Sequence, residues 1–253
     1  MGKGLDSPSA LPVNYLVSGG YSFVGRYISG YTPKTLKVDE AKGYISAGIK
    51  VVLVYEDAAN DALGGTAAGE AKAAIADPQL FALGVPKDRP VYFAADCSPV
   101  GSQVQAAVEC AQAFAAALGR PAAIYGDVNT CNAASQAGVK YTWQFGTGVS
   151  VDRAIYQVYP WIYVTGLAAD PDVSYKSDYG QWPYHKEVGN LFATNKAGTL
   201  YRLSQYAVPG AVGATEEWRV LPSGVKAQLA AAGIPVVDDS AGILIPLWEI
   251  HTP

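Results

Sequence analysis

Residues 51–56 read Val51-Val52-Leu53-Val54-Tyr55-Glu56, five apolar residues in a row closed by a carboxylate. A run with no polar alternation suits a strand covered on both faces, as in a parallel sheet flanked by helices. The pattern recurs at 91–96, Val91-Tyr92-Phe93-Ala94-Ala95-Asp96, again ending on an acid. Outward from these two runs the chain alternates short apolar stretches with helical patterns. Strands are expected at 3–5, 23–28, 51–55, 91–95, 122–125, 141–144, 154–158 and 172–174. Helices are expected near 9–17, 38–47, 66–76, 103–118 and 130–137. Ser9 reads as the cap of the first helix, and Asp39 and Glu40 suit the positive end of the second. Pro78 reads as the end of the third and Gly119 as the stop of the fourth.

Strands alternating with helices at this spacing predict a parallel sheet with right-handed crossovers. Six or more such units in about 170 residues close more readily into a barrel than into an open sheet. The fold class expected is therefore α/β, a (β/α)8 TIM-type barrel. The stretch 145–153 is too short and too glycine-rich for a helix, so the barrel is expected to be irregular at strands six to eight. Residues 1–182 are assigned to the barrel. Residues 183–253 break the pattern, with strand-like pieces at 200–208 and 243–250, a helix pattern at 225–232 and prolines throughout. They read as a C-terminal extension that packs on the barrel or contacts protein partners.

Composition narrows the function. Half of the 253 residues are hydrophobic, 16% are charged, and the formal net charge is −4. That balance fits a folded domain and lacks the basic footprint of a nucleic-acid binder. No apolar run is long enough for a membrane span, and the N-terminus lacks the apolar core of a secretory signal. Synthesis in the cytoplasm is expected, with any later location reached by another route. The cysteines Cys97, Cys110 and Cys131 form no C-x-x-C pair and read as free thiols. The two histidines, His185 and His251, lie outside the barrel. A Ser-His-Asp or Cys-His arrangement, a metal centre and a cofactor are therefore not expected.

In a parallel barrel, chemistry collects just past the C-terminal ends of the strands. Those positions hold Asp6, Glu56, Asp96, Asp127, Gln144 and Gln157. Asp127 precedes Val-Asn-Thr and reads as a helix cap. Asp6, Glu56 and Asp96 read together as a shared site. Glycoside cleavage needs two carboxyl groups, one protonated and one ionised, and crowding in a cleft raises the pKa of one of them. Sugar rings stack on aromatic faces while their hydroxyls take polar partners. Tyr27, Tyr55, Tyr125 and Trp143, with Gln144 and Gln157, are the residues expected to bind substrate.

Several motifs occur in order: Gly4-Leu5-Asp6, Phe23-Val24-Gly25-Arg26-Tyr27, Val54-Tyr55-Glu56-Asp57, Val91 to Asp96, Ile124-Tyr125-Gly126, Trp143-Gln144 and Tyr156-Gln157. Together they resemble a glycoside-hydrolase-like barrel family of unknown function from actinobacteria and their phages. That family is similar in fold to the family 25 lysozymes, which cut the glycan of peptidoglycan. The resemblance covers about residues 2–182. It implies that Asp6 is the strand-one acid, that Asp96 is the first acid of the strand-four motif, and that Asp172 or its competitor Asp170 is the acid near strand eight. The second strand-four acid, the proton donor of the lysozymes, falls on Ser98, which cannot act as a general acid near neutrality.

Three readings follow. In one, the protein hydrolyses a cell-wall glycan, with Glu56 as proton donor facing Asp96 across the cleft and Asp6 and Asp96 stabilising charge or positioning water. In a second, it binds glycan without cutting, as a structural virion component such as a phage minor tail protein. A third is an intracellular barrel enzyme acting on a small sugar. The expected partner is a glycan, with a virion or other proteins contacted through 183–253. Virion association or export by a non-Sec route would bring the protein to the envelope.

Overall fold

The computed structural model describes residues 1–183 with their side chains and the strands 191–194, 200–206, 215–220 and 236–238 as backbone. The chain forms two compact units, Met1–Tyr184 and His185–Pro253.

The first unit runs β1 (Gly2–Asp6), α1 (Val13–Ser18), β2 (Phe23–Ile28), α2 (Val38–Ser46), β3 (Lys50–Tyr55), α3 (Gly65–Leu83) and β4 (Tyr92–Ala94). It continues α4 (Ser102–Leu118), β5 (Ala123–Gly126), α5 (Val128–Gln136), β6 (Tyr141–Gln144), β7 (Ile155–Gln157), β8 (Ile162–Val164) and β9 (Leu167–Ser174). β1 to β7 pair in sequence, all parallel. β9 pairs with both β7 and β1 and closes an eight-stranded barrel, while β8 is an extra strand on β9.

The all-parallel expectation fails at one strand. β9 contains the predicted segment 172–174 but runs antiparallel to both neighbours. The reason is chain length. A parallel return needs a crossover of about a dozen residues or more, and only 158–166 lie between β7 and β9. The chain reverses instead through the hairpin β8–β9. Its two-residue turn, Thr165-Gly166, has φ of 49° and 88°, the left-handed pair that suits strand twist in a tight hairpin.

Three local expectations also shift. Pro78 lies inside α3 and does not end it. Its fixed φ is helical, and the buried Ala73, Ala76, Leu80 and Leu83 hold the helix against the core until Gly84 stops it in the left-handed region. Ser9 caps nothing; α1 begins at Val13 after Pro12, and the backbone N–H of Ser9 donates to Ser7 Oγ. Asp127 does cap α5, accepting from the Thr130 N–H at 2.8 Å. The stretch 145–153 carries no helix.

Alternation along the strands divides the core in two. Val51, Leu53, Tyr55 and Phe93 pack with helix residues such as Leu80 and Phe114 and form the layer between strands and helices. Phe23, Val52, Val54, Tyr92, Tyr141, Trp143 and Ile155 form a second cluster without helix residues, the barrel interior. Tyr179 closes the N-terminal end, with its ring 5.0 Å from that of Phe23 and its carbonyl accepting from the Tyr92 hydroxyl.

The second unit holds a four-stranded sheet of β10 (Leu191–Thr194), β11 (Leu200–Tyr206), β12 (Thr215–Val220) and β13 (Val236–Asp238), in the order β12-β11-β10-β13. The strand expected at 200–208 appears as Leu200–Tyr206. The helix pattern at 225–232, the strand-like piece at 243–250, His185 and His251 lie outside the described residues.

Candidate functional site

The inward-facing residues near the C-terminal ends of the parallel strands include Asp6 on β1, Tyr27 on β2, Tyr125 on β5, Trp143 on β6 and Gln157 on β7, with Glu56 just past β3 and Asp96 two residues past β4. The antiparallel β9 adds two acids. Asp170 pairs with Asp6, and Asp172 pairs with Gly4 two residues further down β1. Two residues apart on one strand, Asp170 and Asp172 share a face, so both of the competing strand-eight acids reach the interior.

Asp6 and Asp172 lie at the floor, 3% and 1% exposed. The Trp143 indole N–H donates to Asp172 Oδ1 at 2.9 Å, and the Tyr27 hydroxyl lies 3.3 Å from Asp6 Oδ1. Neither Oδ2 has an N–H or O–H donor within reach. The two carboxyl groups are near enough to perturb each other, and a proton held on one gives the other a donor. Burial pushes Asp6 well above the ordinary carboxylate range, and the charge of Asp170 adds to it. Burial followed by the charge of Asp6 does the same to Asp172. Gly25, paired with Asp6, makes this packing possible. A Cβ there would lie 2.6 Å from Asp6 Cβ and 2.6 Å from Trp143 Cη2.

Glu56 is half-buried above this floor. Burial raises its carboxyl; Lys34, with Nζ 3.5 Å from Oε1, opposes the rise, and the charge of Asp96 adds to it. Lys34 also stands over the Tyr27 ring, 5.0 Å from its centroid. Asp96 stands at the exposed rim. Partial covering of its carboxyl raises it, the Tyr125 hydroxyl at 3.5 Å opposes, and Asp170 adds to the rise. Tyr125 donates its hydroxyl proton to Gln157 Oε1. Burial raises the Asp170 carboxyl, and the neighbouring Gln157 amide opposes the rise.

Asp6, Glu56, Asp96, Tyr125 and Trp143 line one small cavity at the floor. Above it opens a cleft of about 460 Å³ that shares Tyr27, Asp96 and Tyr125 and is also walled by Phe145, Gln157, Tyr159 and Asp170. That volume lies within the usual range for small-molecule sites. Among the described residues, no group of His, Cys, Asp and Glu is arranged to hold a metal ion.

The structure thus brings Asp6, Glu56, Asp96, Asp172, Tyr27, Tyr125, Trp143 and Gln157 to one mouth. It does not bring Tyr55 or Gln144 there. Tyr55 faces outward, its ring 5.2 Å from Phe114 and its hydroxyl donating to Asp57 Oδ2 at 2.6 Å. Gln144 is fully buried; its amide donates to the Gly148 carbonyl and accepts from the Ser150 N–H, fixing the loop after β6. Both departures have one cause. Adjacent residues of a strand point to opposite faces, so Glu56 excludes Tyr55 and Trp143 excludes Gln144 from the interior. Lys34 and Asp170 complete the site. Asp170 is signalled in the sequence as a competitor of Asp172, whereas Lys34 ends a single 3-10 turn, Thr32–Lys34, too short to carry a periodic pattern.

The family model described as "Rv2525c-like, glycoside hydrolase-like domain" matches residues 14–216. No curated protein matches the chain. Among solved structures, the Tat-secreted protein Rv2525c of Mycobacterium tuberculosis in complex with L-tartrate is similar at 24% identity. The match covers 72% of this chain and 98% of that one, with a TM-score of 0.65. An uncharacterized B. stearothermophilus protein is similar at 19% identity over 70% of this chain and 97% of its own, with a TM-score of 0.53. Both likenesses concern the fold. A bacterial lysozyme from Streptomyces coelicolor matches more distantly, at 15% identity over 69% of this chain and 92% of its own, with a TM-score of 0.47.

Proposed function

The chain belongs to the family of Rv2525c-like, glycoside hydrolase-like domains, and from that premise we propose that the barrel mouth takes a cell-wall glycan and hydrolyses it with Glu56 as proton donor. The observation that carries this reading is the shared floor cavity. Glu56, its carboxyl raised by burial, and Asp96 line the same small space. A carboxyl whose pKa is raised, beside a second acid, is the kind of arrangement that glycoside cleavage uses.

The residues divide the work as follows. Glu56 gives its proton to the glycosidic oxygen. Lys34 then stabilises the carboxylate left behind, since its ammonium is already at 3.5 Å. Asp96 at the rim stabilises positive charge on the sugar or orients water. Asp6, sharing a proton with Asp172, acts as a hydrogen-bonding group for the sugar and not as a full negative charge. Tyr27, Tyr125 and Gln157 meet ring faces and hydroxyls in the cleft. Rv2525c is described as Tat-secreted, which supports a non-Sec export route for this chain as well.

Ser98 favours a second reading. It is exposed at the rim, two residues past Asp96, and brings no carboxyl to the place where the resemblance puts the proton donor. On that reading the mouth holds glycan without cutting it, as in a virion component that touches the envelope. Release of reducing ends from purified peptidoglycan separates the two. The wild type should release them, and Glu56→Gln should be slower by roughly 10²–10⁴-fold. No release by the wild type across acidic to neutral pH, with glycan binding retained, would leave the second reading standing.

A further inference from the structure

The stretch from the end of β7 into β8 carries three exposed aromatic side chains within five residues: Tyr159 at 85%, Trp161 at 47% and Tyr163 at 67%. Their placement follows from register. Tyr163 pairs directly with Ala168, and Ile162 with Ala169; Trp161, one residue before β8, lies on the side of Tyr163, whose ring it meets. Directly opposed residues of an antiparallel pair share a face, and so do alternate residues of one strand. Tyr163, Trp161, Ala168, Asp170 and Asp172 therefore lie on one face. Lower down, that face is the barrel interior, where Asp172 meets Trp143.

The direction of β9 sets the height. Its last partner on β1 at the mouth is Asp6, opposite Asp170. Residues 167–169, and β8 with them, extend beyond the rim. The inner face of the barrel wall thus continues above the mouth as an aromatic surface. Trp161 and Tyr163 brace each other edge to face, with centroids 4.8 Å apart, and Tyr159 lines the cleft beside Gln157 and Asp170.

We propose that Tyr159, Trp161 and Tyr163 form an outer saccharide subsite that holds the sugars of a glycan strand running out of the mouth. This rests on the glycan reading of the mouth and extends it to a longer ligand. The chemistry favours a sugar polymer. Aromatic faces stack on the apolar C–H faces of pyranose rings, while Gln157 and Asp170 below offer partners for hydroxyls. The subsite is continuous with the carboxylate-lined cleft, so one strand reaches both.

Isothermal titration of the full chain, as Glu56→Gln to keep the ligand intact, tests the subsite with soluble peptidoglycan glycan strands of two lengths, a disaccharide and an octasaccharide. Trp161→Ala and Tyr163→Ala should each weaken octasaccharide binding about tenfold, the scale of one lost aromatic contact. Disaccharide binding should not change, and Trp161→Tyr should restore most of the loss. Unchanged octasaccharide affinity in both alanine variants would overturn the subsite and leave the mouth reading intact. Equal losses for both lengths would also overturn it, since the aromatics would then belong to the mouth itself. Failure of the parent to bind either length would refute both readings.

Discussion

Replacing both floor carboxyls, Asp6→Asn with Asp172→Asn, should make the protein more stable at neutral pH and remove part of its pH dependence. In the wild type the pair keeps a proton that the unfolded chain gives up near its ordinary carboxylate pKa of about 4. Below that value both states are protonated and the pair contributes its full stability. As the pH rises, the folded protein alone holds the proton, and stability falls by about 1.4 kcal/mol per pH unit for one proton. The loss is complete above the raised value of the folded pair. Two amides keep the geometry without a proton. The amide at position 172 accepts from the Trp143 N–H, the amide at position 6 accepts from the Tyr27 hydroxyl, and the two amides bond each other. Urea unfolding at a series of pH values reads the difference, because groups common to both proteins cancel. The variant and wild type should differ least near pH 4, with the gap widening by about 1.4 kcal/mol per unit above it. That is a large fraction of a typical stability of about 5–15 kcal/mol. Parallel curves would refute the shared proton.

Three further substitutions probe the site and the packing around it. Gly25→Ala should lower stability by about 1–3 kcal/mol, since its Cβ would overlap both Asp6 and Trp143; a thermal melt measures this. Asp57→Asn should cost about 2 kcal/mol at neutral pH, because Ser29, Gly30, Tyr55 and Lys72 all donate to this carboxylate. Hydrogen bonds from these donors outweigh burial and hold Asp57 below the usual carboxylate range. Its contribution is therefore present above the unfolded pKa and lost as the pH falls through the folded one, so the variant and wild type should converge in strong acid. Lys34→Met removes the charge that opposes the rise of Glu56. The alkaline limb of kcat/KM should move to higher pH, and an unmoved limb would take Glu56 out of the proton-donor role.

Much of the fold can be read from the sequence because strands buried on both faces announce themselves as unbroken apolar runs. The runs at 51–55 and 91–95 are enough to put Glu56 and Asp96 at strand ends. The same property hides the facing of individual residues. With no polar alternation, nothing in Val51–Tyr55 says which side chains point inward, and the sequence reading turns Tyr55 and Gln144 to the wrong face. The reversal of β9 is implied by the short span between 157 and 167. The segment 172–174, however, looks the same in either direction. Lys34 has no sequence signal, because a loop lysine becomes part of a site only through the path of the turn that carries it. The aromatics at 159, 161 and 163 fall in a short connection and the three-residue β8, too short to stand out as a strand.

The proposed function puts glycan at the mouth and not on another face of the barrel. Backbone amide NMR of the full chain during titration with soluble peptidoglycan strands tests it most directly. Shifts should concentrate at Gly25, Glu56, Asp96, Tyr125, Gln157 and Asp170, and the outward-facing Tyr55 should stay still. Shifts confined to residues away from the C-terminal ends of the strands, or none at saturating glycan, would contradict the account.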